Sequence, residues 1–289
     1  MLVLAMAAMM AGGVVSRPVS NLYSGPSRDA DVVTQAIYST AVTVLEERGH
    51  WLRVRTPDEY AGWIESDAVR RLREAERAFA TAGRVAEVGS LFAHLYREPS
   101  VTKHEPVLTV PFETRLEVVA EPEREGGRWI QVRLIDDRPA WVQRGDVVFE
   151  PGRQSIDETI TLARRFLGLP YTWGGTSSFG YDCSGFTQML CRRRGIGLPR
   201  DAKPQANWDQ ARRIERSELR AGDLVYFGPS LEKINHTGYY IGNGEFIHAT
   251  TNGRPVVQIS RLDDTPWTTL FVAARRVAVP SAAAREEKR

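Results

Sequence analysis

Cysteine is scarce in this chain of 289 residues: there are two, Cys183 and Cys191. Two isolated cysteines supply neither a zinc-site spacing nor a disulfide framework. On one helix they would stand roughly 12 Å apart along its axis, beyond the about 7 Å that a disulfide allows between α-carbons. Long apolar runs are also missing. The N-terminal stretch "MLVLAMAAMMAGG" is apolar for about ten residues, short of the ~20 that span a bilayer as a helix. No charge dominates either. The 38 Lys and Arg against 36 Asp and Glu leave a net charge of +2, and the mixture gives no support for nucleic-acid binding. The one basic run, Arg192 to Arg194, reads as the solvated end of a helix, where cations meet the negative end of the dipole.

What is present is ordinary globular protein, 42% hydrophobic and 26% charged, long enough for about two domains or three small ones. The first thirteen residues look like the core and cleavage region of a secretory signal without its basic leader. We read residues 1–13 as a signal remnant, which implies export to the periplasm or cell envelope. The alternative is a buried first segment in a cytoplasmic protein.

The first half contains a duplication. "NLYSGPS" at Asn21–Ser27 returns as "HLYREPS" at His94–Ser100. Trp51 and Trp63 return as Trp129 and Trp141, each 78 residues later. Short alternating apolar runs punctuated by turn residues predict strands of a small barrel or sandwich. Two copies are a duplicated domain and not a solenoid, which needs at least about three repeats. The four tryptophans read as core rather than as ligand platforms, because indoles dominate small barrels. Residues 74–84, rich in Ala, Glu and Arg, read as a helical connector.

From Ser155 the pattern changes. Ile156, Ile160, Ala163, Phe166 and Leu167 follow helical spacing, and "LGLP" ends that helix. A loop rich in Gly, Ser and aromatics spans Tyr171 to Tyr181. In "YDCSGFTQMLCRRRG", Phe186, Met189 and Leu190 fall on helical turns, Asp182 is a candidate N-cap, and Gly195 fits the stop. Cys183 thus opens a helix, where unpaired N–H groups and the dipole favour a thiolate. Cys191 reads as a small buried hydrophobe.

A nucleophilic cysteine needs a base. His50, His94 and His104 lie in the duplicated half and read as surface or structural residues. His236 and His248 flank "GNG" in "NHTGYYIGNGEFIHAT", a hairpin signal. A three-residue or bulged loop places Gly238 opposite His248 and sets His236 diagonal to His248 on the same face; a two-residue loop would put the histidines on opposite faces. Chemistry selects the former, with His236 as base for Cys183 and His248 holding its tautomer. Two unrelated strand histidines and a buried cysteine are the plain alternative.

"PYTWGG…YDCSGF", "LPRDA…Q", "AGDLVYF" and "NHTGYYIGNGEFIHAT" occur in the order found in NlpC-type cell-wall cysteine peptidases, a papain-like family that residues 154–277 resemble. The duplicated half resembles bacterial SH3-like domains at residues 14–73 and 85–149. The resemblance implies an α+β protein: two small SH3-like β-barrels, then a papain-like α+β cysteine peptidase domain and a tail at 278–289. It implies Cys183 as nucleophile, His236 as base then acid, His248 as orienting residue and Tyr171 as a donor to the oxyanion. The arrangement looks like the branch that cuts the γ-D-glutamyl–diamino acid bond (diaminopimelate or lysine) of murein stem peptides with a free N-terminal L-alanine. In that branch Asp182 and Ser184 bind the ammonium group and the peptide, and Tyr60 lines the site. Tyr60 also reads as an exposed turn residue; its counterpart in the second copy is Arg138. The branch's acidic residue from the first SH3-like domain has no identified match here, and Ala202 lacks the hydroxyl that some members carry. The partners implied are murein stem peptides or peptidoglycan fragments, with no nucleic acid, no membrane span, no metal and no organic cofactor. A hydrolase of intact wall and a silent wall-binding module are the alternatives.

Overall fold

The structure, a computed structural model, describes residues 12–73, 76, 79–81, 83–121 and 127–279. The chain divides into two compact units, Met1–Glu150 and Pro151–Arg289. Most of the expected signal remnant lies outside the described residues. Its last two residues, Gly12 and Gly13, instead open the strand Gly12–Val15, which pairs with Ala41–Arg48 and Val69–Arg71.

The first unit is built twice from antiparallel strands. In the first copy seven strands between Gly12 and Arg71 form one sheet. In the second, a five-stranded sheet and a two-stranded sheet lie between Val85 and Phe149. The 78-residue offset survives in the register: Trp51 faces Glu65 as Trp129 faces Gln143, and Arg53 faces Trp63 as Gln131 faces Trp141. Tyr23 stands edge-on to Trp51 at 5.5 Å between centroids, as Tyr96 does to Trp129. Alternation explains the packing, since Leu52 and Val54 in one copy and Ile130 and Val132 in the other point into the cores. Trp63 is buried and the other three tryptophans are half-buried. His50 and His104 are exposed, and His94 is half-buried against the Thr109 hydroxyl at 2.8 Å.

The expected helical connector is only partly described. Its described residues form turns and bends, not helix, and Phe79 and Ala80 are buried with the core of the second copy. Burial of an apolar pair outweighs the helical propensity of the Ala- and Glu-rich stretch.

In the second unit, α1 (Ile156–Arg165) starts with a capping box between Ser155 and Glu158. Helix α2 (Cys183–Arg193) is buried along most of its length and ends before Gly195, whose φ of +81° marks the turn. Helix α3 (Ala202–Ala206) follows. An antiparallel sheet orders its strands Ala211–Ile214, Phe271–Val277, Leu224–Phe227, His236–Gly242, Glu245–Thr250 and Val256–Arg261. Helix α2 packs on the strands His236–Gly242 and Glu245–Thr250. Phe166, Tyr181 and Phe186 form an edge-to-face cluster, with centroids 5.5 to 6.1 Å apart, that anchors α1 and the loop to α2. Among the described residues no helix is long and apolar enough to cross a membrane.

Candidate active site

Asp182 caps α2, accepting from the Gly185 N–H at 2.6 Å. Cys183 therefore occupies the first helical position. The Asp182 N–H bonds to the Gly175 carbonyl at 3.1 Å. A β-carbon at Gly185 would meet that same carbonyl oxygen at 2.2 Å. The glycine of "DCSGF" is thus what lets the loop close onto the helix start.

The hairpin has the expected register. Tyr239 faces Ile247 and Tyr240 faces Phe246, then the register shifts so that Gly242 faces Glu245 across Asn243-Gly244, both at positive φ. This bulged turn keeps Gly238 beside His248; a β-carbon on Gly238 would lie 3.3 Å from that of His248. The two histidines share a face, and His236 Nε2 lies 2.7 Å from His248 Nδ1. That bond leaves His236 Nδ1 as the nitrogen available to the thiol. The backbone N–H groups of Thr237, next to His236, and of Ser184 act on Cys183 in the direction that favours its thiolate. Cys183 is 7% exposed and His248 is wholly buried.

The electrostatics differ from the helix-start expectation. Burial pushes the Cys183 thiol up to about 12, and the nearby Asp182 charge adds to this; the Thr237 and Ser184 N–H groups pull the other way. Burial pushes the His236 imidazole down to about 3, and His248 well below its usual value. Desolvation outweighs the favourable helix terminus, so neither charge is held alone. Moving the thiol proton to His236 creates both charges together, where each stabilises the other. The arrangement fits general-base attack from a neutral pair.

Tyr171 is half-buried beside the loop entry, bridged to Tyr181. Burial, with the Cys183 and Asp182 charges nearby, raises its phenol well above the usual value. It stays protonated and able to donate.

Four residues that the sequence did not single out complete the site. Arg200 is buried and grips Asp182 with both ends of its guanidinium, at 2.6 and 3.1 Å, and reaches the Ser184 hydroxyl at 2.9 Å. The "LPRD" motif was its only signal. Trp267, 5% exposed, stacks on His236 at 5.1 Å and stands edge-on to His248 at 4.8 Å. Ser260 lies 3.0 Å from His248 Nε2. Gln205, from the same motif as Arg200, donates to the Ser184 carbonyl at 3.0 Å.

Cys183, His236, His248, Tyr171, Asp182 and Ser184 thus all lie in the second unit. Tyr60 lies in the first, half-buried at the end of a turn in which the Thr56 N–H bonds to its carbonyl at 2.9 Å.

Residues 168–276 match the NlpC/P60 family, and residues 22–69 match the bacterial dipeptidyl-peptidase Sh3 domain. A γ-D-glutamyl-L-lysine dipeptidyl-peptidase of Bacillus cereus is 33% identical over 84% of this chain and 74% of its own length. The protein of that name from Bacillus subtilis is 28% identical over 87% of this chain and 83% of its own. The crystal structure of an NlpC/P60 family protein from Bacillus cereus superposes with a TM-score of 0.79 at 26% identity, covering 93% of this chain and all of that one. With the capped cysteine, the histidine pair and an Sh3 domain ahead of them, this chain belongs to the NlpC/P60 cysteine peptidase family.

Proposed function

We propose that this protein hydrolyses the γ-D-glutamyl–diamino acid bond of murein stem peptides carrying a free N-terminal L-alanine. The observation that carries the reading is the helix opened by the capped Cys183, packed on the two strands that carry the His236–His248 pair, in a chain similar to γ-D-glutamyl-L-lysine dipeptidyl-peptidases over most of its length.

Cys183 sulfur attacks the γ-glutamyl carbonyl carbon as its proton passes to His236 Nδ1. The carbon–nitrogen bond then breaks, His236 returns the proton to the departing amine, and a thioester remains. Water gives a proton to His236 and attacks the thioester, which releases the γ-carboxyl group and restores the thiol. His248 holds the His236 Nε2–H throughout. Tyr171 and the Cys183 N–H face the developing oxyanion. Tyr171→Phe should lower kcat about 100- to 1000-fold, the scale for one lost oxyanion donor, in steady-state assays. No step calls on a metal or organic cofactor.

Asp182 and Ser184 are the proposed contacts to the free amine and peptide, held in place by Arg200. Tyr60 is a further proposed substrate contact, resting on the sequence resemblance. The repeated strand register supports two SH3-like barrels, at residues 14–73 and 85–149, before a peptidase domain at 154–277. Export is proposed on the condition that the N-terminal stretch is a signal remnant, with a cytoplasmic protein as the alternative, and N-terminal sequencing of the mature protein tests it.

Mass spectrometry of a digest decides the substrate. Ala-γ-Glu-diaminopimelate should be cleaved between Glu and diaminopimelate, and the same peptide amide-linked to sugar should survive. Equal cleavage of both refutes the free-amine requirement, and release from intact sacculi would point to a wall hydrolase.

A further inference from the structure

His236 serves as a base only in one tautomer. A neutral imidazole has one N–H and one lone pair. His236 Nε2 faces His248 Nδ1 at 2.7 Å, and His248 Nε2 faces the Ser260 hydroxyl at 3.0 Å. The chain of three side chains can therefore be polarised in two directions. If His248 donates from Nε2 to Ser260, its Nδ1 accepts from the His236 Nε2–H, and His236 keeps a lone pair on Nδ1 for the thiol proton. If Ser260 donates to His248 instead, His248 donates to His236, and His236 Nδ1 carries a hydrogen that cannot accept. The direction at Ser260 thus decides whether His236 is a base.

The surroundings accommodate the productive direction. His248 is wholly buried, with Phe246 at 4.5 Å and Trp267 at 4.8 Å between ring centroids. Ser260 sits on Val256–Arg261, the edge strand of the sheet, with Phe246 across from it, and is half-buried. Its own proton can go to solvent while its oxygen accepts from His248. A serine at this place links the wholly buried His248 to the half-buried edge of the sheet through one hydroxyl.

We infer that Ser260 is a positioning residue, a fourth member that sets the tautomer of His248 and through it that of His236. The inference rests on the peptidase reading above. Hydrogen bonds that orient a metal-binding histidine are worth about 10- to 100-fold; on that scale Ser260→Ala should lower kcat and leave KM unchanged. Ser260→Thr, which keeps the hydroxyl, should restore most of it. A double-mutant cycle separates this role from a general structural one. In His248→Asn the amide oxygen accepts from His236 without a tautomer choice, so adding Ser260→Ala should cost no further activity. Nitrogen NMR of the unaltered protein gives an independent readout: His248 should carry its hydrogen on Nε2, and Ser260→Ala should give mixed tautomers.

A His248 with a bare Nε2 in the unaltered protein overturns the inference. So does kcat within twofold of normal in Ser260→Ala, or a full additional loss in the His248→Asn background. Those results leave the peptidase reading intact as long as Cys183→Ala is inactive. Activity that survives Cys183→Ala overturns both.

Discussion

The two ends of α2 make an instructive pair. Cys183 opens the helix and Cys191 lies near its end; both are buried, and burial pushes each thiol up to about 12. By depth and desolvation the two are alike, so neither measure identifies a nucleophile. Their neighbours differ. Cys183 has the Thr237 and Ser184 N–H groups, Tyr171 in electrostatic reach and the histidine pair on the two strands against which its helix packs. Cys191 is wholly buried, as are Met189 and Leu190, and the charges that act on it belong to Arg194 and Arg192. What distinguishes the ends is a base with an orienting partner, not the thiol's own burial.

The largest test of that contrast is Cys183→Ala. Removing the nucleophile of a catalytic triad costs about a million-fold in kcat in a well-studied case. A loss on that scale is expected here, in stem-peptide assays, with the folded state retained.

The second test strikes the cap. Arg200 and Asp182 are both buried, and their pairing fixes the helix start. Asp182→Asn keeps an oxygen for the Gly185 N–H but leaves the guanidinium without its counter-charge. Breaking a buried pair from one side costs about 3–5 kcal/mol, which urea unfolding would read. Adding Arg200→Met should recover much of the loss, because an apolar replacement of the whole pair avoids the stranded charge. No recovery would mean that the pair's hydrogen bonds, to Ser184 above all, matter more than its charge balance.

The same contrast bears on what a sequence reveals. Helical spacing exposed α1, and a local capping rule exposed the start of α2, with Asp182 ahead of Cys183. The hairpin register followed from alternation once the histidines were required to share a face, and the bulge at Gly242 supplies it. The duplication was plain because tryptophans spaced by 78 residues keep their pairing. Arg200, Ser260 and Trp267 were not legible as site members. Each reaches its partner across 12 or more residues of chain or from another element, and no periodicity signals such a meeting. The strand at Gly12–Val15 was missed because its apolar run reads equally as a signal core. The connector was read as helix because propensity does not register that Phe79 and Ala80 have a core to enter. The thiol's direction of shift was misjudged for a related reason: a helix terminus is visible in sequence, and desolvation is not.

Acid should expose the histidine end of the contrast. In the unfolded chain both imidazoles take up a proton below about pH 6.5. In the folded protein burial holds His236 neutral down to about 3, and burial with the neighbouring His236 holds His248 well below its usual value. The unfolded chain binds more protons across that window, so stability falls as pH falls through it. Each group contributes at most about 1.4 kcal/mol per pH unit, more from the wholly buried His248 than from the half-buried His236. Urea midpoints measured from pH 7 to pH 5 should decline, and His248→Asn should flatten the decline. An unchanged slope in that variant would assign the acid sensitivity elsewhere.

The smallest effect belongs to the other end of the helix, and it is the control for all the rest. Cys191→Ala removes one sulfur from a packed core, a loss near that of a single methyl group, about 1 kcal/mol of stability. It should leave kcat within about twofold. Cys191→Ser should be worse than Cys191→Ala in unfolding experiments, because a wholly buried hydroxyl left without a partner costs about 1–3 kcal/mol. At Cys183 the order of the two replacements should not matter to activity, since neither alanine nor serine supplies the thiol. A tenfold fall in kcat for a stable Cys191→Ala protein would show that burial had hidden a second reactive sulfur, and that the neighbours of Cys183 are not what sets it apart.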